Sequence, residues 1–327
     1  MHVRPLGSTG LEVSRIILGC GNFGGVGSSP AFFGKGTTKT DAFTLMNAAW
    51  DAGITTFDTA DAYGGGRSEA FIGAWLATKD RSVRDSIVLT TKTYNPMDQG
   101  HDHGLGAGRI ARQIDTSLGR LGVERVAMYL AHEFDPEVTI EETMTAFDTL
   151  IASGKVGAVG ASNFSAEQIA HSLDVSNGKG LTRYGWVQNS FSLLERRDAE
   201  AVLPLCEACG LGYTPFSPLA GGWLTGKYRR DSAPPAGSRM TLRPEPYETY
   251  RTDRVFSALE SLEATALEHG SSMAGLALAW TLAHPGITAI VIGPNILGQL
   301  GPALEAADLT LSSSDLDHLS ELFSCLF

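Results

Sequence analysis

Four side chains able to hold or move a proton occupy matching places in this sequence. Asp58 ends the run Ile54-Thr55-Thr56-Phe57, and Tyr63 follows five residues later, ahead of Gly64, Gly65 and Gly66. Lys92 ends the run Ile87 to Thr91, and His132 ends Val126 to Ala131. Short runs rich in β-branched and aromatic residues read as buried strands, so three ionisable groups stand at strand tips and the tyrosine on the loop beyond one of them. Tyrosine is a poor acid at neutral pH, and donates a proton only where its anion is stabilised. A lysine ammonium does that, a carboxylate keeps the lysine charged, and a histidine holds a substrate oxygen against the tyrosine. The chemistry implied is protonation of a carbonyl oxygen while hydride arrives at its carbon from elsewhere.

Strand tips converge on one face only in a particular architecture. After a hairpin over Met1 to Ser14, turning at Gly7-Ser8-Thr9-Gly10, strand and helix patterns alternate. Expected strands are Ile16 to Cys20, Ile54 to Phe57, Ile87 to Thr91, Val126 to Ala131, Val156 to Gly160, Tyr184 to Asn189, Leu211 to Phe216 and Ala289 to Ile292. Helices are expected over Thr40 (as N-cap) to Asp51, Ser68 to Thr78, Gly108 to Leu121, Ile140 to Ser153, Ala166 to Asp174, Ala199 to Cys209, Val255 to His269, Ser272 to Ala283 and Leu297 to Ala306, with a last helix closing the chain. Long loops are expected at Gly24 to Lys39 and from Phe216 to Arg251. Eight such units without a linker predict α/β architecture: a single (β/α)8 TIM barrel domain over residues 1–327 with an N-terminal β-hairpin cap. Gly19-x-Gly21-x-x-Gly24 matches a dinucleotide fingerprint, but the following Gly-Val-Gly-Ser-Ser-Pro cannot open the helix that the fingerprint requires.

The formal net charge of −11 argues against nucleic acid or an anionic membrane as partner. The N-terminus has no apolar signal core, and the apolar run Met273 to Ala283 is too short to span a bilayer, so a cytoplasmic protein is expected. Of the four cysteines (Cys20, Cys206, Cys209, Cys325), Cys206 and Cys209 form a Cys-x-x-Cys that reads as one helical turn without zinc-spaced partners. His101-Asp102-His103 reads as a solvated loop, and no metal site is expected.

The stretch FDTADAYGGGRSE, with LGSTGLEVSRIILG before it and IVIGPNILGQL near the end, resembles the aldo-keto reductase superfamily, particularly bacterial members related to the potassium-channel β-subunits. The resemblance implies a catalytic tetrad of Asp58, Tyr63, Lys92 and His132 and reversible hydride transfer between a nicotinamide cofactor and an aldehyde or ketone. It implies that Gly21 and Asn22 contact the cofactor beside Asp58, and that Ser162, Asn163 and Gln188 grip the carboxamide. Phe216 would stack on the nicotinamide, with Ser217, Pro218, Leu219, Gly221, Lys227 and Arg239 around the pyrophosphate, and Gly293, Asn295 and Gln299 near the adenosine. Asn295 is neutral and Pro302-Ala303 replaces the Glu-Asn pair of relatives. Lys227 and Arg239 favour NADPH, with NADH left open. The substrate pocket is expected from Phe32, Phe33, Tyr63, Tyr94, His132, Glu133 and Trp223, suiting a small-molecule carbonyl; sugar-nucleotide ketoreductases and cofactor-bound sensor subunits are also among the implied relatives. Oligomeric state is not legible.

Overall fold

The computed structural model describes residues 1–98 and 102–324; His101 and Cys325 lie outside them. A hairpin comes first. β1 (Val3–Pro5) and β2 (Glu12–Ser14) pair antiparallel, with Val3 opposite Ser14. Eight parallel strands follow: β3 (Ile16–Gly19), β4 (Thr56–Asp58), β5 (Val88–Thr93), β6 (Val126–Ala131), β7 (Val156–Ser162), β8 (Trp186–Gln188), β9 (Gly212–Tyr213) and β10 (Ile290–Ile292). Each pairs with the next in sequence, and β10 lies beside β3. The ring closes between β9 and β10, where the Thr288 N–H donates to the Tyr213 carbonyl and the Val291 N–H to the Pro215 carbonyl, both at 2.8 Å. This is the (β/α)8 barrel with a hairpin at its N-terminal end.

Strand alternation divides the core in two. Ile17, Met128, Leu130, Trp186 and Val291 form an inner cluster with Leu6 and Val13 of the hairpin segment, which plug the barrel bottom. Ile16, Leu18, Tyr129, Val159 and Val187 belong instead to the layer shared with the helices. The same two-residue period decides the site. Lys92 is in register with inward Leu130, so it points into the barrel, whereas Thr91 and Thr93 point toward the helices.

Most expected elements form, with shifted ends. The first long helix is Lys39–Asp51, and its N-cap is Thr38 rather than Thr40: the Thr38 hydroxyl accepts from the Asp41 N–H. The helix Ala166–Lys179 continues five residues past the expected Asp174 end, until Gly180 turns left-handed at φ 66°. A short helix not anticipated, Arg81–Ser86, starts at Asp80, whose carboxylate caps the Val83 N–H. The expected long loop after β9 carries the turns Ala220–Thr225 and Glu245–Tyr250 and the helix Arg239–Leu242. No helix opens at Gly24, so the glycine fingerprint has no doubly wound context. Cys206 and Cys209 are free thiols on the helix Val202–Cys209. Met273–Ala283 is a helix with ten buried residues, packed inside the protein, and among the described residues no helix is long and apolar enough to cross a membrane.

Candidate active site

The C-terminal ends of β4, β5 and β6 bring Asp58, Lys92 and His132 to one rim, and the turn after β4 brings Tyr63 over them. Lys92 is fully buried. Its Nζ donates to Asp58 Oδ2 at 2.6 Å, to the Thr59 carbonyl at 3.0 Å and to the Tyr63 hydroxyl at 3.3 Å. His132 Nε2 lies 3.4 Å from the same hydroxyl. Asp58 uses its other oxygen to accept from Gln188 Nε2 at 3.0 Å. Burial pulls the Lys92 pKa down, but Asp58 and Tyr63 outweigh it and leave the net shift upward, so the ammonium stays charged. For Tyr63, burial raises the pKa and outweighs the lowering by Lys92, which keeps the phenol protonated until reaction. The His132 imidazole is pushed well below its ordinary value by burial first and by Lys92 second, so the ring is neutral. Together these groups present a protonated phenol whose incipient anion has a charged donor already in place.

Tyr63 is held by glycine. Its turn continues through Gly64, Gly65 and Gly66, all at positive φ. At Gly64 a Cβ would lie 2.7 Å from the Phe23 carbonyl oxygen, so only a bare backbone lets this turn nest against the loop after β3. Gly21 faces the Tyr63 ring, and a Cβ there would meet it at 3.5 Å.

The remaining expected residues separate by place. Asn163, exposed at the tip of β7, donates to the His132 carbonyl at 2.9 Å and to Ser162 Oγ at 3.2 Å. Asn22 bridges two segments, donating to the Gly293 carbonyl at 3.2 Å and accepting from Arg239 at 2.8 Å. Phe216 is half-buried beyond β9, in parallel pairing with Ser190. Pro218 is buried and Leu219 half-buried in the turn that follows, and Lys227 is exposed with its Nζ lying over Gly222. Asn295 and Gln299 are exposed, and the Asn295 N–H donates to Gln299 Oε1 at 2.7 Å. Ala303 is fully buried, so no side chain from that position reaches a ligand.

Of the expected substrate wall, Phe33 packs over Gly65 beside Tyr63, and Phe32 ends the short turn Pro30–Phe32. Tyr94 is half-buried at the rim and Glu133 is exposed there. Trp223 stands apart. It is 1% exposed, with Tyr228, Phe256 and Tyr250 ring centroids at 5.0, 5.6 and 5.9 Å. It borders a separate cavity of about 180 Å³ together with Tyr228, Met240 and Phe256. The apolar packing of that cluster removes it from the site.

Two features were not anticipated from the sequence. Asn95 Nδ2 lies 3.2 Å from His132 Nδ1, yet an asparagine before a proline reads only as a loop residue. Behind β5, Arg109 donates to Thr93 Oγ1 at 2.6 Å and lies 3.7 Å from buried Asp61, forming a braced carboxylate on the helix side of the barrel. The signal available was an acid inside Ala60-Asp61-Ala62.

Strained backbone lies at the tip of β7 and in the segment after β9. Among the described residues, the non-glycine residues at positive φ are Asn163, Ser217 and Ala220, at 59°, 53° and 48°. Such conformations cost of order 1–3 kcal/mol each and collect at functional sites. Ala220, Gly221 and Gly222 turn left-handed in succession, and the turn is closed by the Ala220 N–H donating to the Ser217 carbonyl and the Gly222 N–H to the Leu219 carbonyl, both at 2.8 Å. Lys227 and Arg239 follow on the same segment. These two cations supply the positive charge that a dinucleotide diphosphate would need.

A parallel barrel with a lysine-braced tyrosine at its mouth defines a class of barrel with a buried proton-holding site at the C-terminal ends of its strands. The sequence profile of the Aldo/keto reductase family matches residues 15–323, and the chain belongs to that family. It is 35% identical to the uncharacterized oxidoreductase YrpG of Bacillus subtilis, over 99% of this chain and 96% of that one. It is 29% identical to versiconal hemiacetal acetate reductase of Aspergillus parasiticus (98% and 96% covered) and 32% identical to a probable voltage-gated potassium channel subunit beta of rice (94% and 92%). The chain is thus an oxidoreductase of a family whose members generally use NAD(P)H.

Proposed function

We propose that this protein is an NADPH-dependent reductase of aldehydes or ketones, with Tyr63 as general acid. The observation that carries the reading is the Tyr63 hydroxyl set 3.3 Å from the Lys92 ammonium and 3.4 Å from His132 Nε2, with Lys92 paired to Asp58. A reduced nicotinamide, when bound, supplies hydride; Ser162, Asn163, Gln188 and Phe216 would hold its ring, and the 217–222 turn its diphosphate. Lys92 stabilises the phenolate left when Tyr63 gives its proton to the carbonyl oxygen, and Asp58 keeps Lys92 charged and aimed. His132, neutral and anchored through its carbonyl by Asn163, steers the substrate oxygen. Phe33 and Tyr94 beside this mouth suit a flat or ring-bearing substrate.

Two cations, Lys227 and Arg239, on one segment of an acidic protein support NADPH over NADH. Replacing Arg239 with alanine is expected to raise the NADPH dissociation constant roughly tenfold, the worth of one charge-assisted contact, and to leave NADH nearly unchanged. Fluorescence titration of both nucleotides reads this directly. Turnover against aldehydes, ketones and a sugar-nucleotide ketone then tests the reaction. Binding of neither nucleotide overturns the proposal. Tight binding without turnover of any carbonyl favours the second reading, a cofactor-bound regulatory subunit, which the similarity to the rice channel subunit supports.

A further inference from the structure

The imidazole of His132 has two faces. Nε2 looks toward the Tyr63 hydroxyl at 3.4 Å, and Nδ1 looks toward Asn95 Nδ2 at 3.2 Å. A neutral imidazole carries one proton, and the nitrogen that lacks it accepts. An amide nitrogen only donates. From this arrangement we infer that Asn95 is a positioning residue: it donates to Nδ1 and thereby fixes His132 as the Nε2–H tautomer, a donor toward Tyr63 and the substrate oxygen. The inference rests on the reductase reading for its catalytic meaning, although the tautomer itself does not.

The hydrogen-bond bookkeeping at Tyr63 follows from this. A phenolic oxygen offers one proton and accepts at its lone pairs. Lys92 Nζ donates to it from one side. With the proton on Nε2, His132 donates from another. The phenol O–H then has no acceptor within the tetrad and is left for a substrate oxygen, and both donors remain on the phenolate after transfer. With the opposite tautomer Nε2 would be bare, and the Tyr63 proton would be drawn to His132 instead of the substrate.

Asn95 is itself braced. Arg109, 6% exposed, donates from Nη2 to the Asn95 carbonyl at 2.8 Å, while its Nη1 reaches Thr93 Oγ1 at 2.6 Å and the Gly104 carbonyl at 3.2 Å. With its Nε donating to the Asp102 carbonyl at 3.2 Å, one guanidinium therefore holds the tip of β5 and the loop beyond it at four points. The Asn163 bond to the His132 carbonyl anchors the histidine from the other side. A tautomer set this way is a property of the empty protein and needs no ligand.

The experiment uses the full chain labelled with ¹⁵N at histidine, with His132 resonances assigned by their loss in His132→Asn. Long-range ¹H–¹⁵N correlation at pH 7 distinguishes a bare from a protonated ring nitrogen. The expected result is bare Nδ1 and protonated Nε2 in the parent. Asn95→Asp, nearly isosteric, places an acceptor where the donor was and is expected to move the proton to Nδ1 or charge the ring. Asn95→Leu is expected to give mixed tautomers. Both variants should lower kcat by roughly 10- to 100-fold, taking as guide the loss of an outer partner of a metal-bound histidine, with the NADPH dissociation constant within about twofold of the parent. A protonated Nδ1 in the parent overturns the inference, and so does an unchanged Nε2–H pattern with parental kcat in both variants. The expected parent spectrum in a protein that reduces no carbonyl would support the tautomer assignment while the reductase reading fails, so the two are separable.

Discussion

In the proposed reaction Tyr63 serves as the acid because of what surrounds its oxygen. Tyr63→Phe removes the proton and leaves the ring, so it is expected to cut carbonyl reduction by about 10²- to 10⁴-fold, the usual worth of a general acid. Nucleotide affinity, measured by fluorescence titration, should stay within about twofold; parental turnover in Tyr63→Phe would remove Tyr63 from the acid's role. A different carboxylate governs stability. Asp61 is fully buried, and its pKa is pushed up from 3.8 to about 7, by burial first and by the Glu69 carboxylate second, against Arg109 and Thr93. Among the described residues its Oδ1 has no hydrogen-bond partner. A raised carboxyl pKa means that the folded state holds a proton the unfolded chain releases. Its contribution is therefore complete below about pH 4 and is lost as pH rises toward 7. About three pH units correspond to at most roughly 4 kcal/mol. Asp61→Asn should flatten the fall of unfolding free energy between pH 4 and 7 in urea titrations; an unchanged slope would show that Asp61 ionises normally.

At the scale of elements, helix spacing depends on where side chains are missing. A Cβ on Gly73, within the helix Arg67–Leu76, would sit 2.2 Å from the Arg120 carbonyl oxygen of the helix Ala107–Leu121. Gly73→Ala must therefore push the two helices apart. A loss of about 1–3 kcal/mol is expected, as for other overpacking changes, readable by chemical denaturation. The alternation of elements was legible because each strand is a short apolar run between turn residues, and the meeting of Asp58, Tyr63, Lys92 and His132 because strand tips share one face. Element ends were less so: Thr38 and Thr40 are equally good caps by type, and only the Asp41 N–H geometry selects Thr38. The helix Arg81–Ser86 has no buried residue, so no apolar period announced it. The Asp61–Arg109 pair and the Asn95–His132 contact join residues on different elements. Their meeting is set by barrel curvature, which no local pattern encodes. Trp223 shows the reverse limit: a large aromatic beside a ligand-binding motif reads as a pocket wall, but its burial is decided by Tyr228, Tyr250 and Phe256.

For the whole molecule, the decisive join is between the first and last barrel strands. Arg15, just before β3, donates from Nη1 to the carbonyls of Ile287 at 2.9 Å and Thr288 at 2.7 Å, and from Nη2 to that of Leu282 at 2.6 Å. Its own carbonyl accepts from the Ile290 N–H at 3.0 Å. Arg15→Met keeps the aliphatic stem and removes three charge-assisted bonds. It should cost about 2–4 kcal/mol, given roughly 1.5–3 kcal/mol for a bond to a charged group and partial rehydration of the carbonyls; equilibrium unfolding measures it, and a loss under 1 kcal/mol would assign the closure to the strands alone.

That join also has a consequence for how the chain is made. Every other barrel neighbour is the preceding strand, so on a ribosome the sheet can grow in the order of synthesis, one strand onto the last. Until residues 282–292 emerge, β3 keeps an unpaired edge, and Arg15 has none of its carbonyl partners. A nascent or truncated chain ending before Leu282 would therefore lack these partners and leave parallel strand edges open, the kind of edge that a chaperone shields and the finished barrel does not have.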